Sequence, residues 1–90
     1  MAVYLVAHAL NNASKDYGPF FHAIQKHSRY WWHYLPDVWI VVTDKTADQF
    51  ARVLYPFMEQ TDRLLVKRLA REHQGWLPKD AWAWLEDKTY

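Results

Sequence analysis

Residues Arg29–Asp44 read Arg-Tyr-Trp-Trp-His-Tyr-Leu-Pro-Asp-Val-Trp-Ile-Val-Val-Thr-Asp. Two runs of β-branched and aromatic residues are separated only at Leu35-Pro36-Asp37, a pattern that predicts a β-hairpin. In the first run, bulky side chains alternate onto both faces of the strand. A strand that is apolar on both faces is covered on both faces, because a solvated face would show polar alternation. In a protein of this size, we expect the second cover to come from another chain.

The composition narrows the class of protein. The chain has 90 residues, of which 51% are hydrophobic and 23% charged, as in a single globular domain. Six Trp and six Tyr exceed what one small core usually needs, so some of these rings are expected at an interface. The net charge of +1 argues against a domain that holds nucleic acid mainly through its overall field. The absence of cysteine excludes disulfides, thiolate metal sites and a cysteine nucleophile, and it favours a cytoplasmic setting.

The N-terminal run Ala2–Leu10 is apolar throughout and has the length of a strand, so it predicts a central, buried strand. It has no basic leader, and it is too short for a signal peptide or a membrane span. We therefore expect an intracellular protein with no membrane partner.

Two helices are predicted, one on each side of the hairpin. Pro19 lies in the first turn of one helix, which keeps an apolar face through His27. Thr46 and Gln49 have the spacing of a capping box at the start of the second helix. Pro56 is expected to kink or end that helix, because proline cannot donate the backbone hydrogen bond of a helix interior.

The segment Arg63–Leu69 fits two interpretations. Its basic residues repeat every four positions, which slightly favours a helix, whereas its apolar residues can also alternate as a strand. Topology favours the strand, because strand–helix–strand–strand–helix needs a fourth strand to complete its sheet. We therefore predict an α+β, ferredoxin-like βαββαβ sandwich over residues 1–74, with two helices on one sheet face and the other face free to bind. Residues 75–90 are predicted to form a Trp-rich tail with a short helix, docked over a sheet edge or on the partner chain.

Several segments of the chain resemble one known family. These segments are Tyr4–Leu10, Lys15–Tyr17, Arg29–Leu35, Trp39–Asp44 and Asp62–Val66. Over roughly residues 2–69 the chain resembles the bacterial SinR-like proteins, which are similar to the small ferredoxin-like subunit of the CRISPR spacer-integration complex, a family described as metal-dependent nucleases. The resemblance implies a βαββαβ fold with a strand at Arg63–Leu69 and a homodimer whose sheets face one another.

The functional residue of that family does not carry over to this chain. In the relatives the first strand usually ends in Tyr-Asp, and the Asp is the proposed metal ligand, whereas the matching positions here are His8 and Ala9. Alanine cannot bind a hard cation such as Mg²⁺, which requires oxygen ligands, and no histidine pair has the spacing of a zinc site. We therefore predict no catalytic residue, no metal and no cofactor. The alternative is a metal-dependent endoribonuclease or endonuclease in which His8, Asn11 or Asp16 replaces the missing Asp.

Basic residues beside aromatic rings form the candidate nucleic-acid site. Lys26 and Arg29 lead into the aromatic run, and Lys15 lies in the preceding loop, so cations can contact phosphates while rings stack on bases. The rings can instead pack a dimer interface, which we favour because the net charge is close to zero and neither face of the strand is polar. The interface is then expected to contain Tyr30, Trp31, Trp32 and Tyr34.

The sequence thus predicts a homodimeric binding module on a fold similar to that of the CRISPR-adaptation nucleases. Its expected partners are a second copy of itself and either RNA or DNA, bound weakly, or another protein. A mobile-element protein that interferes with a defence complex by resembling one of its subunits is a further possibility.

Overall fold

A computed structural model describes all residues from Met1 to Tyr90 and has an α+β fold. Its elements are β1 (Ala2–Ala9), α1 (Gly18–His27), β2 (Tyr30–Leu35), β3 (Val38–Thr43), α2 (Ala47–Leu54), β4 (Arg63–Arg68) and α3 (Lys79–Glu86), with a 3-10 turn at Tyr55–Phe57. None of the helices has the length and apolar character needed to cross a membrane.

All four strands belong to one antiparallel sheet, in the order β2-β3-β1-β4. The apolar first strand is central, as its sequence predicts, with Val6 paired to Trp39 on one side and to Val66 on the other. The segment predicted as a fourth strand is β4. This four-stranded arrangement is compatible with a ferredoxin-like fold.

The ends of α2 follow from local sequence. The backbone N–H of Gln49 donates to Thr46 Oγ1 at 3.1 Å, and the N–H of Thr46 donates to Gln49 Oε1 at 2.9 Å, which is the predicted capping box. Pro56 lies in the 3-10 turn that follows the last residue of the helix, Leu54. The helix therefore ends where proline prevents its continuation.

One face of the sheet, which we call the helix face, is packed against α1 and α2. Tyr4 and Val6 from β1 and Val41 from β3 lie there against Ile24 of α1 and Phe50 of α2, all nearly inaccessible to solvent. Apolar side chains recur about every 3.6 residues on α1 and α2 and at every second residue on the strands, and the two sets pack against one another in a single core.

The opposite face, which we call the α3 face, was predicted to be free, but the chain's own C-terminal helix covers part of it. Ala81 and Leu85 of α3 pack against Val3 of β1 and Trp32 of β2, and all four residues are buried. The tail therefore lies on the sheet face and not over a sheet edge. The second cover of the aromatic strand comes in part from the same chain, because α3 offers an apolar side that β2 can bury.

Beyond α3, the α3 face stays open at the end nearest the hairpin turn. There Ala7 of β1 pairs with Val38 of β3 and with Leu65 of β4, and Tyr34 of β2 lies beside Trp32, with ring centroids 5.3 Å apart. Leu65 is 57% exposed and Tyr34 is 42% exposed. In β2 the partner of Val38 is Leu35, the neighbour of Tyr34, beyond an irregularity in the ladder. We call the apolar surface that these four residues form across the strands the open row: Tyr34, Val38, Ala7 and Leu65.

Candidate functional site

A shallow pocket of about 290 Å³ lies where α1 ends and β2 begins. Three cations, Lys26, Arg29 and Lys45, and one carboxylate, Asp44, are among its lining residues, and none of the four takes part in a salt bridge. The pocket is therefore locally positive although the whole chain is nearly neutral. We call it the basic pocket; its lining is Lys26, His27, Ser28, Arg29, Thr43, Asp44 and Lys45.

Backbone pairing assembles the basic pocket from two separate segments. The N–H of Arg29 donates to the carbonyl oxygen of Val42 at 2.7 Å, which extends the β2–β3 ladder by one residue. Thr43 Oγ1 donates to the carbonyl oxygen of His27 at 3.0 Å and accepts from the N–H of Lys45 at 3.2 Å. Sequence reasoning found Lys26 and Arg29 but missed Lys45, which reaches the pocket only through this pairing.

His27 responds to the charge of the pocket. Burial lowers the pKa of its imidazole, and the positive charges of Lys45 and Lys26 lower that pKa further. An anion bound in the pocket would offset those charges and raise the pKa again. Anion binding there would therefore favour the protonated form of His27.

The third predicted nucleic-acid residue, Lys15, lies elsewhere. Its Nζ donates to the carbonyl oxygen of Phe57 at 2.9 Å and lies 3.7 Å from a carboxylate oxygen of Glu59. Its charge is already used to join the β1–α1 loop to the turn before β4. Lys15 is therefore not part of the basic pocket.

The four predicted interface residues are divided between the two faces of the sheet. Trp31 pairs with Val41 and lies on the helix-face side, where its ring centroid is 5.6 Å from that of Trp39. Trp32 lies on the α3 face and is 2% exposed, because α3 covers it. Tyr30 and Tyr34 flank it and remain exposed. A single flat interface cannot include all four residues, and their role in a dimer stays a prediction.

On the helix-face side, two exposed aromatic rings follow Arg29 along the edge strand. Arg29, Trp31 and His33 are spaced by two residues, so their side chains project to the same side of the edge strand. The His33 ring stacks on that of Trp39, with centroids 3.7 Å apart and planes inclined by 14°. We call Trp31 and His33, supported from below by Trp39, the ring pair. Sequence reasoning did not assign a role to His33.

His8, the residue considered as a substitute for the family's Asp, is buried on the helix face. Its ring packs against those of Phe20 and Phe21, at centroid distances of 5.4 and 5.7 Å, and neither ring nitrogen has a hydrogen-bond partner. Burial lowers the pKa of His8; the carboxylate of Asp37 partly opposes this and His33 reinforces it. The imidazole is therefore neutral at pH 7 and enclosed by rings, a setting typical of a core residue.

The other two substitutes have local structural partners. The side-chain amide of Asn11 donates to the carbonyl oxygen of Thr61 at 2.6 Å, and Asp16 Oδ1 accepts from the N–H of Gly18 at 2.9 Å. Ala9 is exposed at the last position of β1. Nowhere in the chain do three His, Asp or Glu side chains converge in a way that could hold a metal ion.

Near the end of β1, the buried carboxylate of Asp62 joins two loops. Asp62 accepts hydrogen bonds from the N–H of Asn11 at 2.7 Å, the N–H of Glu59 at 2.8 Å and the hydroxyl of Tyr17 at 2.9 Å. Burial alone would raise the pKa of Asp62, but these donors outweigh it and lower the pKa overall. The carboxylate is thus ionised and occupied by donors from the chain itself.

Comparison with family models, with characterised proteins and with solved structures finds no match to this chain. The SinR-like resemblance therefore rests on the sequence segments alone. Four surfaces of the molecule bear on its function: the basic pocket, the ring pair, the open row and the end of β1.

Proposed function

We propose that the protein is a homodimeric, cytoplasmic binding module with a ferredoxin-like fold of the SinR-like type, which binds single-stranded nucleic acid weakly and does not cleave it. The observation that carries this proposal is the basic pocket, where Lys26, Arg29 and Lys45 have no acidic partner within salt-bridge distance. Unpaired cations beside exposed rings are the usual means of holding a phosphate backbone and its bases.

The charge distribution supports weak binding. The chain as a whole carries a formal charge of +1, so long-range attraction to a polyanion is small. Affinity must come from a few local phosphate contacts, each of which releases counterions from the nucleic acid. For single strands, each contact contributes about 0.7 to the slope of log affinity against log salt concentration. The basic pocket offers at most a few such contacts, so binding weakens as salt is raised.

For the dimer, we propose that a second copy covers the open row. A two-fold axis parallel to the central strands would place the sheets face to face and set Tyr34 of one copy against Leu65 of the other, with Ala7 near the axis. No charged residue lies in this row itself, and the exposed Arg63 and Lys67, which flank Leu65 on the same side of β4, can keep their charges in solvent at the rim of the interface. A stable pair commonly buries about 800 Å² on each partner, so residues around the row must also take part.

The end of β1 supports binding without cleavage. Its last residue, Ala9, offers no oxygen ligand, and the nearby carboxylate of Asp62 is occupied by three donors. The alternative function, a metal-dependent nuclease that uses His8, draws support from the two unpartnered ring nitrogens. The burial of that ring against Phe20 and Phe21 weighs against it.

The experiment is titration of pure protein against fluorescently labelled single-stranded RNA, single-stranded DNA and duplex, with Mg²⁺, Mn²⁺ or EDTA. Both anisotropy and strand length are scored. We expect binding to the single strands, no cleavage, and weaker binding on Lys26→Ala and Arg29→Ala. Lys79→Ala, which removes one exposed charge from α3 on the other side of the sheet, is the matched control and should bind as wild type does. Equal loss in all three variants, or no binding by wild type, would refute the proposal.

A further inference from the structure

We propose that the ring pair provides two base-stacking positions for a single-stranded nucleic acid whose phosphate is held in the basic pocket. This inference rests on the proposed function and adds the path of the ligand over the molecule. The path runs from Lys45 and Arg29 onto Trp31 and then onto His33, along the outer edge of β2.

The rings are held in place before any ligand arrives. Trp39 is 2% exposed, and both rings of the pair contact it, His33 in a close parallel stack and Trp31 at an inclined angle. Phe21 of α1 stacks on Trp39 as well, with centroids 6.1 Å apart. His33 Nε2 also lies 3.1 Å from the carbonyl oxygen of Pro36, which fixes the ring's orientation. A ring that is already ordered loses little conformational entropy when a base stacks on it.

The pair is exposed as well as ordered. Trp31 is 45% exposed, and His33 is exposed too. The edge strand has no neighbour beyond it, since β2 is the last strand of the sheet. Large rings that stay accessible although a core is available nearby are typical of binding surfaces.

The spacing of the rings selects a single strand. Residues two apart on a strand are about 7 Å apart. Consecutive bases in a duplex are about 3.4 Å apart along each strand and stay stacked on one another, so a duplex cannot place neighbouring bases on both rings. A single strand can separate its bases and stack each on a side chain.

The base-stacking side and the proposed dimer side do not compete. Trp31 projects to the helix-face side, whereas Tyr34 and Leu65 of the open row project to the α3 face. Both surfaces can therefore be occupied at once. A dimer would present two ring pairs, one on each outer edge.

The test compares two ligands, an oligothymidylate and an abasic strand of the same length that keeps the phosphates but lacks the bases. We expect Trp31→Ala and His33→Ala each to weaken oligothymidylate binding about fivefold to 150-fold, with little effect on the abasic strand. Trp31→Phe should restore most of the loss, because it keeps a π-face. Arg29→Ala should weaken both ligands. Tyr55→Ala, which removes a ring that is 55% exposed from the turn after α2, is the control.

The outcomes separate this inference from the proposed function. If Trp31→Ala and His33→Ala bind both ligands as wild type does while Arg29→Ala weakens both, the ring pair is not a stacking site and the proposed function stands. If wild type binds neither ligand, both fail. If a duplex binds as tightly as the single strand, the stacking inference is wrong. Circular dichroism of each variant checks the fold. If Trp31→Ala is unfolded, the loss of oligothymidylate binding in His33→Ala tests the inference on its own.

Discussion

The indole nitrogen of Trp32 donates a hydrogen bond of 3.2 Å to the carbonyl oxygen of Ala81. Both residues are buried, so this bond joins the edge strand to the C-terminal helix inside an apolar cluster. This buried hydrogen bond fixes the position of α3 on the sheet as well as adding to stability. If the helix shifted, the indole N–H would be left buried without a partner, which costs free energy.

The first prediction concerns this contact. Trp32→Phe keeps an aromatic ring but removes the donor and part of the volume, so we expect a loss of about 1–3 kcal/mol in the free energy of unfolding. Trp76→Ala removes the fully exposed Trp of the same tail and should change stability by less than about 0.5 kcal/mol. Urea denaturation followed by circular dichroism measures both. Equal, small effects would mean that α3 does not stabilise the sheet.

The features that could be predicted from the sequence are those set by neighbouring residues. The hairpin, the capping box of Thr46 and the end of α2 before Pro56 depend on patterns a few residues long, which local sterics and hydrogen bonding decide. The fourth strand could not be predicted from its own pattern, which slightly favours a helix; the topology and the family resemblance favoured a strand.

The features that could not be predicted depend on distant residues. Asp62 accepts from Asn11 across 51 positions of sequence, and its role as a buried acceptor is visible only once both loops are placed. Lys45 and Arg29 line the same pocket only because strands β2 and β3 pair. Helix α3 packs on Trp32 because the two present complementary apolar surfaces. Apolar patterning indicates that a side chain will be buried, but it does not say which segment will bury it.

Asp62 is expected to make the free energy of unfolding decrease in acid. Its pKa in the folded protein lies below the ordinary value of 3.8, so its contribution is complete above that pH and is lost as the pH falls through the lower folded pKa. Asp62→Asn should be less stable than wild type at pH 7, and the two should converge in strong acid. Asp44→Asn, which alters an exposed carboxylate with no hydrogen bond or salt bridge, is the control. A constant difference at every pH would contradict the assignment.

His8 is also expected to make the free energy of unfolding decrease as the pH falls, but in a higher pH range than Asp62. Its pKa in the folded protein lies below the ordinary value of 6.5, so the unfolded chain takes up the proton first and stability is lost as the pH falls below that value. His8→Leu removes the buried ring nitrogens, so its free energy of unfolding should rise relative to that of wild type as the pH falls from 7 to about 5. His22→Gln, at an exposed position of α1, should follow wild type. Urea midpoints at several pH values measure this, and parallel curves for wild type and His8→Leu would refute it.

The open row leads to a prediction about assembly. Leu65→Asp should convert a dimer into a monomer, because it would bury an unpaired charge between two apolar faces, while the single chain tolerates a charge at a position 57% exposed. Trp31→Asp, on the opposite side of the sheet, should leave the dimer intact. Light scattering at micromolar concentration gives the mass of each. A monomeric wild type, or a dimer lost in Trp31→Asp and kept in Leu65→Asp, would show that the row is not the interface.

The last prediction concerns cleavage at the end of β1. We expect wild type to leave RNA and DNA intact with either Mg²⁺ or Mn²⁺, because Ala9 supplies no oxygen ligand and two copies in a dimer would still supply none. Ala9→Asp restores a carboxylate at an exposed strand end, and Ala13→Asp adds the same charge in the following loop as a control. Metal-stimulated cleavage by Ala9→Asp alone would support descent from a nuclease. Cleavage by wild type that is lost in His8→Ala would instead establish His8 as the working residue and overturn the proposal of binding without catalysis.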